Sequence, residues 1–586
     1  MPENSIIDKI KKIHRDDNNQ IDIILSDRKK TIVEAAAGSG KTKVLISFIA
    51  YKIATQQLSS TKKILALTFS VNAAYRIKKD VIEQIPSILD NKLLSERNVS
   101  KRVMVSNYHG LCRRILNMYS GRLLKFQKRI EEFNIVDDKE ILKHVILTDE
   151  EKKQIINFGQ SVKEGNVDNF NLLYPQYNKI ILDKVSIFGY LTYNSIISLV
   201  LKIFDDNEVI NSQYKSLFEY IIIDECQDTN VLGYELLKKL IGRNTKLLFF
   251  GDSLQRIYGF IGAIPNIMNM LKNDYDMKMI KLNHNYRFEN NTNLLLLDRN
   301  IRYNSYNPEL ITDLSHPNII CANTYESEYT WVINKIKENI ETNNNSTILV
   351  KSFNGNDNTK ELLNKLENEN IPFFNALFTD ESQEYIDFHK NVYTVFYREI
   401  YEKRKITRKV LEKCFDEILK QYNGTSNQIY SSLIILLRKF IDSICEISVT
   451  YRFDDLLFYI MDVLLNNGLK QYMNKIDEKV IVATIHAFKG LESDIVFLVD
   501  VEKNIFPSYY TCRDCTSKDC KKFEGVENAF IDELSVYYVA ITRARKELYI
   551  SFSKNQLTMY GVRNCNSSCF VDLPGIGYDN YLILNE

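Results

Sequence analysis

The sequence predicts an α/β protein with two parallel-sheet lobes, each carrying an inserted, mainly helical subdomain. Short runs of β-forming residues alternate with helical patterns in two separate regions of the 586-residue chain. Alternation of this kind implies mainly parallel strands with helices on both faces of each sheet. Glycine and proline, at 20 and 9 residues, are both scarcer than in an average protein. This composition excludes collagen, glycine-rich linkers and proline-rich disorder.

The apolar runs locate the strands of the two regions. In the first region, strands are predicted at residues 31–35, 64–68, 220–223 and 246–250. In the second region, they are predicted at residues 318–322, 346–350, 479–484, 495–499 and 547–552. Helical patterns separate these strands, such as the sequence KELLNKLENEN at residues 360–370. Each region therefore predicts one sheet.

Two long segments break the alternation and define the domain organisation. They run from about Asn117 to Ile203 and from about Asn375 to Glu478, and both show periodic apolar residues with charged faces. They could close on small cores of their own, and we interpret them as helical subdomains inserted into the lobes. The predicted division is 1–116 and 204–290 for the first lobe around an insertion at 117–203, and 291–374 and 479–586 for the second lobe around an insertion at 375–478.

The charge balance leaves only local patches for contact with a polyanion. The net charge is +1, from 76 Lys or Arg and 75 Asp or Glu residues. Residues 101–130 contain eight Lys or Arg residues and no Asp or Glu. This patch would attract phosphate groups, although a solvated helix face is the other interpretation. The basic run at residues 403–409 is a weaker candidate that could equally face a protein partner.

Cysteine usage and the absence of long apolar runs predict a cytoplasmic protein. Ten mostly scattered cysteines favour a reducing compartment over a disulfide framework. No secretory signal and no apolar run of about 18 residues is found, so no membrane span is expected. Cys512, Cys515 and Cys520, with Cys565 and Cys569 downstream, could hold Zn²⁺. Reduced thiols on a loop are the preferred interpretation.

The segment AAAGSGKT follows a predicted strand and opens a predicted helix, as a phosphate-binding loop does. It differs from the pattern G-x-x-x-x-G-K-[ST] in having alanine at its first position. Backbone N–H groups and the helix N-terminus can hold phosphate groups there, while the lysine neutralises them and the threonine ligates Mg²⁺. The predicted nucleotide-binding residues of this loop are Ala35, Ala36, Ala37, Gly38, Ser39, Gly40, Lys41 and Thr42.

The segment YIIIDECQD, at residues 220–228, places acidic residues directly after a predicted strand. A carboxylate at the C-terminal end of a strand lies where open α/β sheets bind ligands. Asp224 would hold Mg²⁺, and Glu225 would polarise an attacking water molecule. A solvated acidic turn is the alternative. Together with the phosphate-binding loop, the motif predicts Mg²⁺-dependent binding of ATP or GTP.

The motifs along the whole chain resemble those of the superfamily 1 DNA helicases of the UvrD/Rep/PcrA type. Gln20 lies 21 residues before Lys41, as in the adenine-reading motif of that family. The other matching segments are TFSVNAAYRI at residues 68–77, SNYHGLCRRIL at 106–116, IDECQDTN at 223–230, GDSLQRIYGFIGA at 251–263, NYR at 285–287, VATIHAFKGLESDIVF at 482–497 and YYVAITRARKEL at 537–548. The resemblance implies two RecA-like lobes that bind ATP between them.

The resemblance also implies roles for residues at the base and sugar of the nucleotide. Gln20 would read adenine, Tyr286 would stack on it, and Glu492 would lie near the ribose. Each residue has a plainer alternative. Gln20 could be a helix-surface amide, Tyr286 could pack in the core, and Glu492 could form an interlobe salt bridge.

Three further residues are implied at the γ-phosphate by the same resemblance. Gln255 would sense this phosphate, whereas Arg287 and Arg543 would stabilise the charge of the transition state. Arginines of this kind contribute roughly 10³–10⁵ in rate. A turn residue and surface ion pairs are the respective alternatives. The implied catalytic residues are Lys41, Asp224, Glu225, Gln255, Arg287 and Arg543.

Aromatic and histidine residues match the positions at which the family contacts single-stranded DNA. Phe69, Tyr258 and Phe260 would stack on bases, each for roughly 1–3 kcal/mol, and His109 and His486 would contact the strand. Phe260 replaces the usual tryptophan, which weakens this platform. Core packing of the aromatic rings and structural roles for the histidines remain open.

The resemblance implies a Mg²⁺- and ATP-dependent translocase on single-stranded or partly duplex DNA that unwinds duplexes and moves with 3′→5′ polarity. A different function is an ATP-driven regulatory or sensor subunit of a nuclease-containing antiphage complex. The Gabija helicase-like subunit, which works with an OLD-family nuclease, is the comparison for that alternative. The shortened second insertion and the altered motifs around residues 260 and 487 motivate it. An ATPase that acts on RNA is a third possibility.

Overall fold

A computed structural model describes most of the chain. The described residues are 3–69, 71–89, 99, 101–119, 121, 130, 133–259, 262–351, 357–378, 382–424, 427–448, 453–465, 467–509, 511, 527–558 and 561–584. The chain divides into two compact units, an N-terminal unit, Met1–Tyr286, and a C-terminal unit, Arg287–Glu586. The division lies close to the boundary predicted at residue 290.

The N-terminal unit is built on a six-stranded parallel sheet with the strand order β3-β2-β6-β7-β1-β8. The four predicted strands of the first region are confirmed, with bounds that move by a few residues. A short parallel pair, β4 and β5, lies outside the main sheet. The strands are β1 (Lys30–Ala35), β2 (Lys63–Thr68), β3 (Val103–Asn107), β4 (Asn134–Val136), β5 (Tyr190–Thr192), β6 (Phe218–Ile223), β7 (Lys246–Gly251) and β8 (Lys278–Leu282).

Helices cover both faces of this sheet and bury an apolar layer on each. The helices of the described part of this unit are α1 (Glu3–Ile13), α2 (Asn18–Leu25), α3 (Lys41–Ala54), α4 (Val71–Ile88), α5 (Tyr108–Tyr119), α6 (Ile141–His144), α7 (Asp149–Lys163), α8 (Val167–Ile180), α9 (Tyr193–Asp206), α10 (Glu208–Leu217), α11 (Val231–Leu240) and α12 (Ile267–Asp274). Because each face of the sheet is covered, its central strands are apolar on both sides.

The first insertion is mainly helical, but it does not close on a separate core. Phe158 of α7 and Tyr177 of α8 stack with ring centroids 3.7 Å apart. Both rings belong to the same buried apolar cluster as Leu65 and Leu67 of β2. The predicted limits of the insertion, at residues 117 and 203, fall inside α5 and α9. The insertion therefore extends the core of the lobe.

The C-terminal unit contains a seven-stranded parallel sheet with the order β11-β12-β10-β13-β14-β9-β17. The five predicted strands of the second region are confirmed. β15 and β16 form an antiparallel hairpin. The strands are β9 (Asn318–Ala322), β10 (Ser346–Val350), β11 (Phe374–Ala376), β12 (Val480–Thr484), β13 (Ser493–Leu498), β14 (Ala544–Ser553), β15 (Asn555–Thr558), β16 (Gly561–Asn564) and β17 (Tyr581–Leu584).

The helices of the C-terminal unit include the second insertion. The described helices are α13 (Thr292–Tyr306), α14 (Tyr325–Glu341), α15 (Asp357–Asn368), α16 (Gln383–Lys403), α17 (Arg408–Tyr422), α18 (Gln428–Ile447), α19 (Phe453–Leu465) and α20 (Glu527–Ile541). Helices α16 to α19, the last four α-helices before residue 478, form the insertion, which is helical as predicted. The Ser432 hydroxyl of α18 accepts a hydrogen bond from the Asn375 N–H of β11, at 3.0 Å, and so ties the insertion to the sheet.

Side-chain caps define where several helices begin. Thr148, Thr192 and Thr324 each accept a hydrogen bond from the backbone of the third helical residue, whose own side chain bonds back to the cap. These reciprocal bonds satisfy donors that a helix N-terminus otherwise leaves free. Across the described ranges, none of the helices combines the length and apolar character that a bilayer crossing requires.

Candidate active site

The phosphate-binding loop connects β1 to α3, as the sequence predicts. Gly38 and Gly40 have φ angles of +76° and +82°, which favour glycine. A Cβ atom at Gly40 would also lie 3.0 Å from the Gln20 Nε2 atom. The Ser39 hydroxyl donates to the Ala36 carbonyl at 2.8 Å and tightens the turn. Helix α3 begins at Lys41, so its free N–H groups face the loop and form an anion-binding end.

Acidic residues meet this loop at one edge of the sheet. Strands β6, β7 and β1 are neighbours and run parallel, so their C-terminal ends meet. The Lys41 Nζ atom lies 3.1 Å from the Glu225 Oε1 atom. Burial alone would lower the pKa of Lys41, but the charges of Glu225, Asp224 and Asp252 outweigh it and raise this pKa. Lys41 therefore stays charged at the point where phosphate groups would bind.

A chain of hydrogen bonds continues from this ion pair to Gln255. The Gln227 Nε2 group donates to Glu225 Oε2 at 2.6 Å, and the Asp252 N–H donates to Gln227 Oε1 at 3.1 Å. The Gln255 Nε2 group then donates to Asp252 Oδ2 at 2.6 Å. Lys41, Glu225 and Gln255, which lie far apart in the sequence, thus share one network.

Gln227 and Asp252 are functional candidates that the sequence reasoning did not single out. Both are almost fully buried, at 1% and 0% exposure, and both connect residues that it did predict. They stand inside the segments IDECQDTN and GDSLQRIYGFIGA, so the signal was present in the motifs. Gly251, directly before Asp252, has no room for a side chain, because a Cβ atom would lie 2.7 Å from the Cys226 Sγ atom and 3.0 Å from Gln227 Oε1.

Asp224 and Thr42 are the predicted Mg²⁺ ligands. The buried carboxylate of Asp224 has an oxygen that is suited to binding a cation. The backbone N–H of Asp224 donates to the Leu67 carbonyl at 2.8 Å, which holds the residue at the end of β6. Its Oδ1 atom is buried and has no hydrogen-bond partner within the described residues. Burial and the charge of Glu225 raise the pKa of Asp224, although Lys41 opposes this shift. An unsatisfied buried carboxylate oxygen next to a phosphate-binding loop is suited to a hard divalent cation.

Gln20 lies against the phosphate-binding loop. Its Nε2 group donates to the Ser39 carbonyl at 2.9 Å, and its Oε1 atom is hydrogen-bonded to His14 Nδ1. The second ring nitrogen of His14 is hydrogen-bonded to the Ser47 hydroxyl at 2.8 Å. Gln20 is 2% exposed, which excludes its interpretation as a helix-surface amide. His14 therefore orients Gln20 toward the loop.

Replacing His14 with alanine is expected to lower the free energy of unfolding by about 1–3 kcal/mol, because Gln20 and Ser47 lose a buried partner. The pKa of His14 is lowered, first by burial and then by Lys43, against the opposing effects of Gln20 and Asp17. The unfolded chain therefore binds an extra proton as the pH falls below the ordinary value of 6.5, and stability is lost there. Melting temperatures measured from neutral to mildly acidic pH should fall less steeply in H14A than in the wild type. Parallel pH profiles would contradict this assignment.

Tyr286 also belongs to the surroundings of the phosphate-binding loop. Its N–H donates to the Gly38 carbonyl at 2.9 Å, and its hydroxyl donates to Asp17 Oδ2 at 2.7 Å. Asp17 caps the helix that carries Gln20. The Arg15 guanidinium lies 5.7 Å from the centroid of the Tyr286 ring, which is partly exposed rather than packed in the core. The loop is thus flanked by a planar ring, a guanidinium group and an amide.

Arg287, Glu492 and Arg543 come together within the C-terminal unit. Arg287 forms a salt bridge of 2.7 Å with Glu492 and donates to the Thr542 carbonyl at 2.5 Å. Arg543 is 3% exposed and donates to the carbonyl groups of Val539 and Leu491 at 2.8 and 3.2 Å. Burial excludes the surface ion-pair interpretation for Arg543. The two arginines implied at the γ-phosphate therefore share one polar cluster.

Among the predicted DNA-contacting residues, Phe69 and Tyr258 stack on each other. Their ring centroids are 5.1 Å apart at an interplanar angle of 28°, and both rings are partly exposed. His486 is partly exposed after β12, where its carbonyl accepts from the Lys489 N–H at 3.3 Å. Phe260 lies outside the described residues.

His109 has the surroundings of a structural histidine. Its Nε2 atom is buried without a hydrogen-bond partner among the described residues. Burial and the neighbouring Arg113 lower the pKa of His109 to about 4, so the ring is neutral near pH 7. A neutral ring with a buried Nε2 atom is poorly suited to phosphate contact, and this favours the structural alternative.

Parts of two predicted features lie outside the described residues. Arg122, Lys125, Lys128 and Arg129 of the basic patch do so, as do Cys512, Cys515 and Cys520. Of the remaining patch, Arg113 is 9% exposed, and Arg102 donates to the Leu58 carbonyl at 2.7 Å. Arg113 is therefore buried, whereas Arg102 is partly exposed and hydrogen-bonded to the backbone.

A phosphate-binding loop with an ion-paired lysine, facing acidic residues at neighbouring strand ends, defines a P-loop nucleotide hydrolase. Comparison with known protein families gives the particular class. The UvrD/REP helicase N-terminal domain matches residues 16–276, and the UvrD-like helicase C-terminal domain matches residues 375–555. The chain belongs to the UvrD-type superfamily 1A helicases and is an enzyme of the hydrolase class.

Curated relatives align over nearly the whole chain. A probable DNA helicase II homolog of Mycoplasma capricolum is 24% identical over 92% of this chain and 84% of its own length. The ATP-dependent DNA helicase Rep of Buchnera aphidicola is 25% identical, over 90% of this chain and 93% of its own. The ATP-dependent DNA helicase PcrA of Staphylococcus aureus is 24% identical, over 90% of this chain and 81% of its own.

Proposed function

We propose that the protein is an ATP-dependent DNA helicase that moves along single-stranded DNA in the 3′→5′ direction. The observation that carries the proposal is the hydrogen-bonded network from Lys41 through Glu225 to Gln255. It links a phosphate-neutralising cation, a candidate water-orienting carboxylate and a candidate phosphate sensor. The names of the relatives support ATP and DNA as the substrates.

ATP would bind with its phosphates in the loop and its base beside Tyr286 and Gln20. The Gln20 amide has a second N–H group beyond the one that it donates to Ser39, so it can still recognise an adenine edge. Arg15 and Tyr286 offer flat faces for the base. Thr42 and Asp224 would hold Mg²⁺, which would neutralise phosphate charge when bound.

Hydrolysis would begin with an exchange of partners at Lys41. Without nucleotide, its charge is balanced by Glu225 at 3.1 Å. Phosphate groups in the loop would compete for Lys41 and release Glu225 Oε1 to orient the attacking water. Gln227 still donates to the other oxygen of Glu225, so the carboxylate keeps its orientation. Loss of the γ-phosphate would restore the original ion pair.

Arg287 and Arg543 would stabilise the charge of the transferred phosphate. Both guanidinium groups are held by carbonyl groups, and Arg287 is also held by Glu492, so each is positioned before nucleotide binds. Their engagement and release in each cycle would couple hydrolysis to movement of the strand. The 3′→5′ direction rests on the resemblance of the motifs.

The stacked pair Phe69–Tyr258 is proposed as a platform for DNA bases. The Y258A variant is expected to bind single-stranded DNA about 5- to 150-fold more weakly, which corresponds to about 1–3 kcal/mol of base stacking. Y258F keeps the ring and should bind like the wild type. Binding is measured by fluorescence anisotropy with a labelled oligonucleotide. Equal affinities of Y258A and Y258F would contradict the platform.

The function is tested with the purified full chain. ATP hydrolysis is measured with and without single-stranded DNA or RNA, and strand displacement is measured on duplexes with 3′ or 5′ single-stranded tails. We expect hydrolysis that DNA stimulates more than RNA and displacement from 3′-tailed duplexes. Displacement only from 5′-tailed duplexes would overturn the direction. DNA-stimulated hydrolysis without displacement would favour the alternative, an ATP-driven subunit of an antiphage complex with an OLD-family nuclease, which a pull-down would then identify.

A further inference from the structure

The C-terminal unit contains a buried cluster of three carboxyl groups that the proposed function does not use. Glu328, Asp500 and Glu502 are at most 2% exposed. One carboxylate oxygen of each lies within 4.8 Å of those of the other two. The residues are separated in the sequence by up to 174 positions, and no motif of the sequence pointed to them. Only the fold brings them together.

Neutral donors satisfy part of the cluster. Ser551 and Tyr329 donate hydroxyl hydrogen bonds of 2.6 Å to Glu328 Oε1 and Asp500 Oδ1. The two oxygens of Glu502 accept from the Ser553 N–H at 2.8 Å and from the Gln556 side chain at 2.9 Å. These bonds fix the directions of the carboxylates, but they bring no positive charge.

Two oxygens of the cluster, Glu328 Oε2 and Asp500 Oδ2, are buried and have no hydrogen-bond partner of good geometry among the described residues. Ser553 and Asn358 lie near these carboxyl groups and oppose the rise in the pKa values of Glu328 and Asp500. Among the described residues, no Lys, Arg or His is a cause of the pKa shifts of the three carboxyl groups, whose neighbours are carboxyl, hydroxyl and amide groups. Burial, and then mutual repulsion, raises the pKa values of Glu328 and Glu502, and burial raises that of Asp500. Buried carboxylates of this kind need either protons or a metal cation.

The position of the cluster in the sheet corresponds to that of the nucleotide site in the other unit. In the N-terminal unit, acidic residues follow β6, and helix α3 begins after β1, with β7 between these strands. In the C-terminal unit, Asp500 and Glu502 follow β13, and Glu328 lies in the first turns of α14 after β9, with β14 between these strands. In open parallel sheets this edge is where ligands bind. The helix of the C-terminal unit carries an acidic residue, Glu328, as its fourth residue, whereas α3 begins with Lys41. An acidic side chain at this edge is suited to a cation instead of an anion.

We propose that Glu328, Asp500 and Glu502 bind a hard divalent cation of the Ca²⁺ type, which stabilises the C-terminal unit. The donors are all carboxylate oxygens, and such a set selects hard ions over Zn²⁺ or Cu²⁺. Ligands of Ca²⁺ lie about 2.3–2.6 Å from the ion, so opposite oxygens are about 4.6–5.2 Å apart. The oxygens of the cluster lie within 4.8 Å of one another, so a single ion of this kind can contact all three.

Trp331 provides a specific optical probe of the site. It is the only tryptophan of the chain and lies on α14, one turn after Glu328. Its ring packs edge-on against Tyr549, with centroids 5.4 Å apart, beside β14. Tb³⁺, a luminescent substitute for Ca²⁺, is excited by energy transfer from a nearby indole. Excitation at the red edge of tryptophan absorption therefore reports binding next to Trp331.

The experiment is a Tb³⁺ titration of the nucleotide-free full chain after treatment with a chelator, followed by displacement with Ca²⁺. We expect sensitised emission that saturates at one ion per chain and that Ca²⁺ reverses. D500N should weaken binding at least about tenfold. E338Q, which alters an exposed carboxylate of the same helix, and D224N, which alters the nucleotide site, should leave it unchanged. Thermal melting should rise on the order of 5 °C with Ca²⁺ in the wild type but not in D500N.

The alternative to a cation site is a cluster whose carboxyl groups are neutralised by protons. Absent emission, or equal Tb³⁺ affinity in the wild type and D500N, would overturn the proposal, and so would a wild-type melting temperature that Ca²⁺ does not raise. If D500N does not fold, E502Q takes its place, and the wild-type response to Ca²⁺ is decisive by itself. The cation site does not depend on the proposed helicase function, because K41A would lose ATP hydrolysis and keep the Tb³⁺ signal.

Discussion

The K41A variant is expected to lose ATP hydrolysis, with kcat lower by about 10²–10³, because one electrostatic contact to the transition state disappears. Lys41 stands at the first residue of α3, and its amine is held by Glu225 at the end of β6. Without this amine, no cation lies between the phosphate groups and Glu225, so two negatively charged groups face each other. Steady-state hydrolysis in saturating single-stranded DNA measures the effect.

A neighbouring lysine provides the control for this variant. Lys43 lies on the same helix but is exposed, and its amine donates to the Ile13 carbonyl at 2.8 Å. K43A should therefore keep kcat within about twofold, since surface substitutions of this kind have small effects. Equal rates of ATP hydrolysis for K41A and the wild type would contradict the assignment of the nucleotide site. Equal losses in both variants would point to damage of the helix instead.

The R543A variant is expected to lower kcat by roughly 10³–10⁵, the contribution of an arginine that meets a transferred phosphate. R543K should not restore the rate, because a lysine lacks the planar fork of donors that contacts two oxygens at once. The KM for ATP should change much less than kcat, since the contact strengthens in the transition state. Hydrolysis rates at several ATP concentrations separate the two effects.

Arg543 also has structural contacts, so its variant requires a stability control. Its guanidinium group donates to the carbonyl groups of Val539 and Leu491 and to the Thr542 hydroxyl. Some destabilisation is expected, and thermal melting measures it. R545A removes an arginine two residues away that pairs with Asp494 at 3.0 Å, and it should keep kcat within about twofold. A folded R543A protein with a wild-type rate would refute the role.

The strands that the sequence revealed are the central ones. In both sheets, every predicted strand has neighbours on both sides, whereas the main-sheet strands that were missed are the edge strands β3, β8, β11 and β17. A central parallel strand is covered on both faces and appears as an unbroken apolar run, as in the segment LLFF of β7. The edge strand KMIKL of β8 contains two exposed lysines, and only its last residue is buried, so it shows no unbroken apolar run. Local patterns therefore reveal the centre of a sheet better than its edges.

The candidate nucleotide site was largely visible in the sequence because its chemistry is local. The phosphate-binding loop is one continuous segment, and the acidic residues follow directly after a strand. Parallel strands bring their C-terminal ends to one edge, so these segments had to meet. The bridging roles of Gln227 and Asp252 were not visible, because they depend on which side chains face each other across two strands.

The sequence also did not show which polar side chains are buried. Gln20, Arg543 and His109 occur in motifs that suggest accessible side chains, yet each has buried polar atoms. The first insertion shows the same limit, since its rings join the core beside β2 instead of forming a core of their own. Periodicity shows which face of a helix is apolar, but not which neighbour covers it.

The sequence by itself determined the two α/β lobes, the order of the motifs and the phosphate-binding loop, because each is written in contiguous residues with a defined spacing. The tertiary structure alone decided the network from Lys41 to Gln255 and the carboxylate cluster of Glu328, Asp500 and Glu502. Those contacts join residues from distant segments, and their geometry follows from strand order and register. The physical reason is that spacing along a chain sets local conformation, whereas packing sets which distant side chains share a charge, a hydrogen bond or an ion.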